Sequence, residues 1–350
     1  MTKQPANLTA AIEALNKEHG ADVVVTLAQA NKLGMLTTDR IPSGIYALDW
    51  IMKGGVPRRK ITEFWGKESA GKTTAALHVA ATVLNSGGRV LWIDAEHSID
   101  RQWAMLHGLD MANERFLLSQ PVDGNKVGDV LHSMLMTDEL DLVVLDSIGA
   151  VVPNPEIDKG MEQDFMALCA RTLGRITRLI WAGLAHREAG HKSTQTAILL
   201  LNQVRIKPGI AYGDPEYAPG GMAKDHSINL RVKFRKGSKL TVGDGTHKRV
   251  YGVTTGVVVT KNKVDARYME PHKYDLIKSN DNPPFVTGQI DNVETLIRLA
   301  LDTGIYKMVS KQTISTGTHE YRRAKLHERL MAEPEKAAKL WARLTAMEHP

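Results

Sequence analysis

One stretch constrains this chain more than any other: Gly66-Lys67-Glu68-Ser69-Ala70-Gly71-Lys72-Thr73-Thr74. It reads G-x-x-x-x-G-K-T, follows the apolar run at 61–65 and precedes 75–84, a helix pattern that Gly87-Gly88 ends. Strand, glycine loop and helix in that order make a phosphate-binding loop. The glycines let backbone N–H groups turn inward around a polyphosphate, and the helix N-terminus adds its positive end. In that geometry Lys72 reaches the β- and γ-phosphates, and the Thr73 hydroxyl is a ligand of Mg²⁺. A glycine-rich turn matching by chance would rarely have both flanking elements correct. The loop indicates nucleotide binding, but not what the nucleotide drives.

Apolar runs at 61–65, 89–93, 142–145 and 197–201 alternate with helix-like segments, notably 123–136 and 161–185. This alternation predicts an α/β fold with a parallel sheet covered on both faces. From about 230 to 277 the character changes. Arg231, Lys233 and Arg235 fall on one strand face and Leu230, Val232 and Phe234 on the other, so the sheet should continue as antiparallel strands. Val242-Gly243-Asp244-Gly245 is the expected turn. Upstream, Leu8, Ile12 and Leu15 predict a short amphipathic helix stopped at Gly20, with a polar, irregular stretch from Gln29 to Ser43 behind it. Such a helix either folds back on its own core or packs on a neighbouring subunit. Asn280-Asp281-Asn282-Pro283-Pro284 marks a boundary. Beyond it, 293–301 and 321–347 read as helices, with Pro334 breaking the second, in a small α/β tail.

Composition narrows the function classes. With 350 residues, 43% hydrophobic and 24% charged, the chain has the make-up of a globular protein rather than a disordered one. No apolar run is long enough to span a bilayer, and the N-terminus lacks the apolar centre of a secretion signal. Cys169 is the single cysteine, which excludes a disulfide framework or cysteine zinc cluster and suits a reducing cytoplasm. His186 and His191 have the wrong spacing for a helical metal pair, so the histidines read as structural or surface residues. A formal charge of +6 admits a polyanionic partner without requiring one.

Several strand ends carry chemistry. Asp146 ends the apolar run at 142–145, where a carboxylate faces the phosphate loop and can hold a Mg²⁺ water. Asp94 and Glu96 end another strand. Glu96 is preferred as the base that polarises an attacking water; Asp94 could instead be that base, or either acid could cap the following helix. Gln203 ends a fourth strand and can donate to a γ-phosphate. Directly behind it, residues 206–221 hold four glycines and three prolines. The segment reads as irregular, a switch loop whose order depends on ATP. A second such loop at 152–161 leads into a helix whose Arg171, Arg175 and Arg178 share a face suited to phosphates. Lys261 and Lys263 end a late strand, and could complete the site of an adjacent subunit as an arginine finger does.

Together these motifs resemble the bacterial-type RecA recombinases along nearly the whole chain. The most specific are the phosphate loop, Ile93-Asp94-Ala95-Glu96-His97-Ser98-Ile99-Asp100, Asn202-Gln203-Val204-Arg205 and Lys261-Asn262-Lys263. Gly54-Gly55-Val56-Pro57 and the segment Ile41-Pro42-Ser43-Gly44-Ile45-Tyr46-Ala47-Leu48-Asp49 add to the match. The resemblance implies a RecA-like P-loop ATPase core at 36–280 with a twisted, mostly parallel sheet. An N-terminal oligomerisation segment at 1–35 and a C-terminal domain at 281–350 would flank it. It further implies an ATP- and Mg²⁺-dependent homo-oligomeric filament on single-stranded DNA that pairs with homologous duplex and exchanges strands.

By that similarity Glu96 activates water, Gln203 couples the γ-phosphate to DNA binding, Lys261 and Lys263 act across the subunit boundary, and Asp100 and Trp103 contact adenine. Trp103 stands where the family usually has tyrosine and keeps a stacking face. The loops at about 153–166 and 206–220 would be the DNA loops. Met166, Arg171 and Arg178 would serve in the first, and Arg205, Lys207, Pro208, Gly209, Gly220 and Gly221 in the second. Pro208 occupies the place of an apolar wedge. The last residues, Ala346-Met347-Glu348-His349-Pro350, lack a strongly acidic tail, which implies less restrained loading onto DNA and suits a phage-encoded member. Two rivals remain: a ring motor or helicase on the same core, and a single-strand annealing protein with a vestigial ATPase.

Overall fold

The computed structural model describes residues 7–19, 23–32, 36–121, 123–151, 162–185, 195–206, 215–265 and 270–348. Its centre is an eight-stranded sheet of β1 (Ile61–Gly66), β2 (Val90–Asp94), β3 (Phe116–Ser119), β4 (Leu142–Asp146), β5 (Ala197–Gln203), β6 (Leu230–Val242), β7 (Arg249–Asn262) and β8 (His272–Ile277). The strands lie in the order β8-β7-β6-β1-β5-β4-β2-β3. From β3 through β6 every pairing is parallel, and β7 and β8 add antiparallel ladders at one edge. This is the mostly parallel α/β sheet that the apolar runs predicted.

Alternate residues along each strand feed two separate cores. Val90, Trp92, Leu142, Val144, Leu199 and Leu201 face one side. There they meet α3 (Tyr46–Ile51), α4 (Lys72–Asn85) and α9 (Asn292–Asp302). Leu91, Ile93, Val143, Leu145, Ile198 and Leu200 face the other, against α6 (Gly124–Leu135) and α7 (Glu162–Ala185). Period-two geometry explains the split, since successive side chains of a strand point to opposite faces. Both faces are apolar, so the strands read as unbroken hydrophobic runs.

Helix boundaries follow local chemistry. Asp123 caps α6 by accepting from the amides of Asn125 and Lys126, and Asp100 caps α5 (Arg101–Leu106) by accepting from that of Trp103. At the N-terminus, α1 (Leu8–His19) covers the expected amphipathic segment; Gly20 lies outside the described residues. The stretch expected to be irregular from Gln29 begins instead inside a short helix, α2 (Leu27–Lys32), where Thr26 and Gln29 exchange capping bonds.

The tail differs from expectation in one respect. Tyr321 lies in a strand, not a helix: 307–308, 313–315 and 320–322 form a three-stranded antiparallel sheet ahead of α10 (Arg323–Ala332) and α11 (Pro334–Glu348). Pro334 starts α11 at a position where its missing N–H costs nothing. The tail is welded to the core. Leu296, Leu299, Leu330 and Leu344 belong to the same buried cluster as α3 and α4, and the Trp341 ring stacks on Tyr46 at 4.3 Å. Among the described residues, no helix is long and apolar enough to cross a membrane.

Candidate nucleotide site and its neighbouring loops

The phosphate loop leaves β1 at Gly66, where the chain passes so close to β6 that a Cβ would lie 2.4 Å from the Phe234 carbonyl oxygen. Only glycine fits there. Ser69 and Gly71 take positive φ values of 57° and 95°, and Gly71 is the residue from which α4 starts. The turn aims its amides inward. Among the described residues, the N–H groups of Glu68, Ser69, Gly71, Lys72 and Thr73 find no acceptor in the protein, and that of Ala70 alone bonds within the loop, to Lys67 O at 3.3 Å. Orphan amides at a helix N-terminus make an anion cradle, so the site fits a polyphosphate.

Lys72 lies buried beneath this cradle and donates to the carbonyls of Gly66 (3.2 Å) and Lys67 (3.0 Å). Burial lowers its pKa, opposed by Asp146, Glu96 and Glu68. Thr73 Oγ1 donates to Asp146 Oδ2 at 2.9 Å. Burial pushes the Asp146 carboxyl up to about 7. The Thr73 hydroxyl and Lys72 oppose that rise, while the nearby Glu96 and Asp94 add to it. A divalent cation would offset this crowding of negative charge. Among the described residues no three ligating side chains form a metal site unaided, so Mg²⁺ here would depend on Thr73, Asp146 and the phosphates themselves.

Asp94 and Glu96 have different surroundings. Asp94 is fully buried and accepts from the amides of Ser98 (3.1 Å) and Ile99 (3.2 Å) and from Gln120 Nε2 (3.1 Å). It holds the turn after β2. Glu96 is half-buried and accepts from Gln203 Nε2 at 3.0 Å and from the Ser147 hydroxyl. The amide at the end of β5 thus touches the acid at the end of β2.

Beside the phosphate loop, Trp103 lines a cleft with Ser69, Lys72, Thr74, Thr255 and Lys278. Its indole N–H donates to Thr74 Oγ1 at 3.1 Å, and its ring packs edge-on against His107, which shares a 3.0 Å hydrogen bond with His78. Asp100 is exposed at the start of the same helix.

The second loop is less irregular than its composition implied. Arg205–Ile206 pairs antiparallel with Glu216–Tyr217, pinching its base into a short ladder. Lys207, Pro208 and Gly209 lie outside the described residues. Arg205 is exposed, and Gly220 and Gly221 open α8 (Gly221–Ser227). In the first loop, residues 162–166 are helical rather than loop, because α7 begins at Glu162. Residues 152–161, the side chain of Met166, and His186 and His191 lie outside what the structure describes. Arg171, Arg175 and Arg178 are exposed on one face of α7, opposite the buried Leu173, Ile176 and Ile180.

Lys261 and Lys263 are not brought to the phosphate loop of their own chain. Lys261 pairs with Arg231, which is level with Glu63 on β1, three residues short of Gly66. At strand rise that is about 10 Å toward the opposite sheet edge. Lys261 instead donates to the Asp225 carbonyl, and Lys263 to that of His226 at 3.1 Å.

Two features escaped the sequence reading. Glu216 bridges Lys67 of the phosphate loop (3.0 Å) and Lys233 of β6 (2.9 Å), so the far side of the second loop touches the first glycine turn. Glu63, fully buried in β1, accepts from Lys224 (2.7 Å), Asn202 (2.8 Å) and Arg231. A carboxylate inside an apolar strand was a legible signal, since a buried charge requires a partner.

Comparison with known proteins agrees with this geometry. A model of the RecA N-terminal domain matches residues 6–279. Proteins described as Protein RecA are similar over most of their length. That of Symbiobacterium thermophilum is 35% identical over 255 residues, 73% of this chain and 69% of its own. That of Bacillus subtilis is 32% identical over 292 residues, covering 83% and 74%. That of Arthrospira platensis is 34% identical over 305 residues, covering 87% and 76%. With a matched phosphate loop, a mostly parallel core sheet and this extent of similarity, the chain belongs to the RecA family.

Proposed function

We propose that this chain is a recombinase whose ATP hydrolysis is switched by DNA through the end of β5. Recombination and DNA repair by a filament-forming protein is the role of the family. ATP and Mg²⁺ would occupy the cradle, with Lys72 on the phosphates, Thr73 and Asp146 toward the metal, and Asp100 and Trp103 toward adenine. Mg²⁺ would neutralise phosphate charge and orient the triphosphate. Glu96 is the candidate base for the attacking water. Arg171, Arg178, Arg205, Gly220 and Gly221, with Met166, Lys207, Pro208 and Gly209, are the proposed DNA contacts. Lys261 and Lys263 would complete a neighbour's site in the filament. The division into 1–35, 36–280 and 281–350 is retained as a proposal about roles.

The observation that carries this reading is the 3.0 Å bond from Gln203 to Glu96. Gln203 stands between the candidate base and the loop that begins three residues later. A γ-phosphate competing for its amide would therefore alter both hydrolysis and loop position. Single-stranded DNA should raise the ATPase rate, and strand exchange should require ATP. Lys72→Ala should abolish strand exchange, and Glu96→Gln should bind ATP but hydrolyse it about 10²–10⁴-fold more slowly, the usual worth of a general base. ATPase assays with and without single-stranded DNA, and one strand-exchange assay, test this. Wild-type hydrolysis that ignores DNA would count decisively against it.

A further inference from the structure

Among the described residues Lys224 is the most deeply buried lysine, its side chain at 1% exposure against a Glu63 carboxylate at 0%. Its ammonium donates to Glu63 Oε1 (2.7 Å), Pro219 O (2.7 Å) and Ala218 O (3.4 Å), and lies 3.3 Å from Asp225 Oδ1. Gly220 makes room for it, since a Cβ there would fall 2.7 Å from Lys224 Cδ. A buried charge this well satisfied is costly to assemble and strongly destabilising to break, so its contacts hold in one arrangement.

Those contacts join parts that the proposed mechanism needs to move together. Glu63 also accepts from Asn202 Nδ2 at 2.8 Å, the residue before Gln203. Asn202 Nδ2 lies 2.9 Å from Pro219 O, the same carbonyl that Lys224 binds. At the other end of α8, the carbonyls of Asp225 and His226 receive Lys261 and Lys263. Arg231 closes the cluster, with its guanidinium on Glu63 and on Asp225 Oδ1 (2.5 Å). A continuous polar path therefore runs from the strand end bearing Gln203, through Glu63 and Lys224, to the returning limb of the second loop. From there it continues along α8 to the two lysines.

We propose that Lys224 is a positioning residue that locks the returning limb of the second loop and α8 to the Asn202–Gln203 strand end, so that nucleotide state and DNA engagement are transmitted through the Glu63–Lys224 pair. The inference rests on the function proposed above. It concerns coupling, a quantity that must be reciprocal: if nucleotide tightens DNA binding by some factor, DNA tightens nucleotide binding by the same factor.

The test uses the full chain, a non-hydrolysable ATP analogue and a fluorescent single-stranded oligonucleotide. DNA affinity is measured with and without the analogue, and analogue affinity with and without DNA. The variants are Lys224→Met and the double variant Glu63→Gln with Lys224→Met, which leaves no lone charge buried at the pair. In both, nucleotide-free DNA affinity and DNA-free analogue affinity should stay within about twofold of wild type, while the reciprocal coupling factor falls at least tenfold, the loss of about 1.4 kcal/mol of coupling free energy. If Lys224→Met does not fold, the double variant decides. A coupling factor equal to wild type in the folded variant overturns the inference. So does a parallel loss of both separate affinities with coupling intact, which is what a merely structural role would give. A wild-type protein with no coupling would overturn the proposed function itself, and the two failures are thereby distinguished.

Discussion

At the scale of single residues, the side chains that mattered most were those out of keeping with their surroundings. The meeting of Thr73 and Asp146 was legible because a phosphate loop and an acid-ended strand face each other across a parallel sheet edge, and the structure joins the two side chains. Lys224 was not legible, because a sequence shows the buried charge of Glu63 without its partner 161 residues away. The pair His78 and His107 was likewise unreadable, 29 residues apart yet hydrogen-bonded behind Trp103. Both pKa values are lowered to about 4, chiefly by burial, with His107 contributing to the depression of His78. Each folded-state value lies below the unfolded one. Their stabilisation is therefore complete above about pH 6.5 and lost as pH falls through 4. The first ring to protonate should cost about 3 kcal/mol, from a shift of roughly 2.5 in pKa. Denaturant unfolding at stepped pH should show a shallower acid-side loss for His78→Gln than for the wild type. Identical slopes would remove the pair from the account.

Elements were legible in proportion to their burial. The strands β1, β2, β4 and β5 lie between two cores and present uninterrupted apolar runs, so each was found to within two residues at either end. The edge strand β3 has no fully buried residue and a weak pattern, and it went unseen. So did the Arg205–Ile206 ladder, whose pairing is made by backbone alone inside a glycine- and proline-rich segment. The junction of β1 and β6 gives a sharp prediction. Adding a methyl at Gly66 must displace the Phe234 carbonyl, a backbone atom that belongs to the ladder. Gly66→Ala should lose about 1–3 kcal/mol of stability in urea unfolding, the usual cost of overpacking. It should also weaken nucleotide binding measured by calorimetry, because the first turn of the loop departs from that point.

For the whole molecule, the proposed placement of Lys261 and Lys263 makes the assembly, rather than the chain, the catalytic unit. Head-to-tail contacts of one surface with a different one propagate into filaments rather than closed pairs. Lys72→Ala should spoil the loop and spare the lysines; Lys261→Ala with Lys263→Ala should do the reverse. Each protein alone should hydrolyse ATP feebly on DNA. Mixed in equal amounts they should recover roughly a quarter of the wild-type rate, the share of random junctions that unite one intact half from each. No recovery would mean that the lysines serve their own subunit or none. The register that holds Lys261 some three residues short of Gly66 has one more consequence. A filament completed in this way has chemically unlike ends. One terminal subunit holds ATP that no neighbour helps to cleave, and the other offers lysines to an empty side. Growth and loss should then be directional, with the uncleaved nucleotide acting as a cap that preserves one tip while the other erodes.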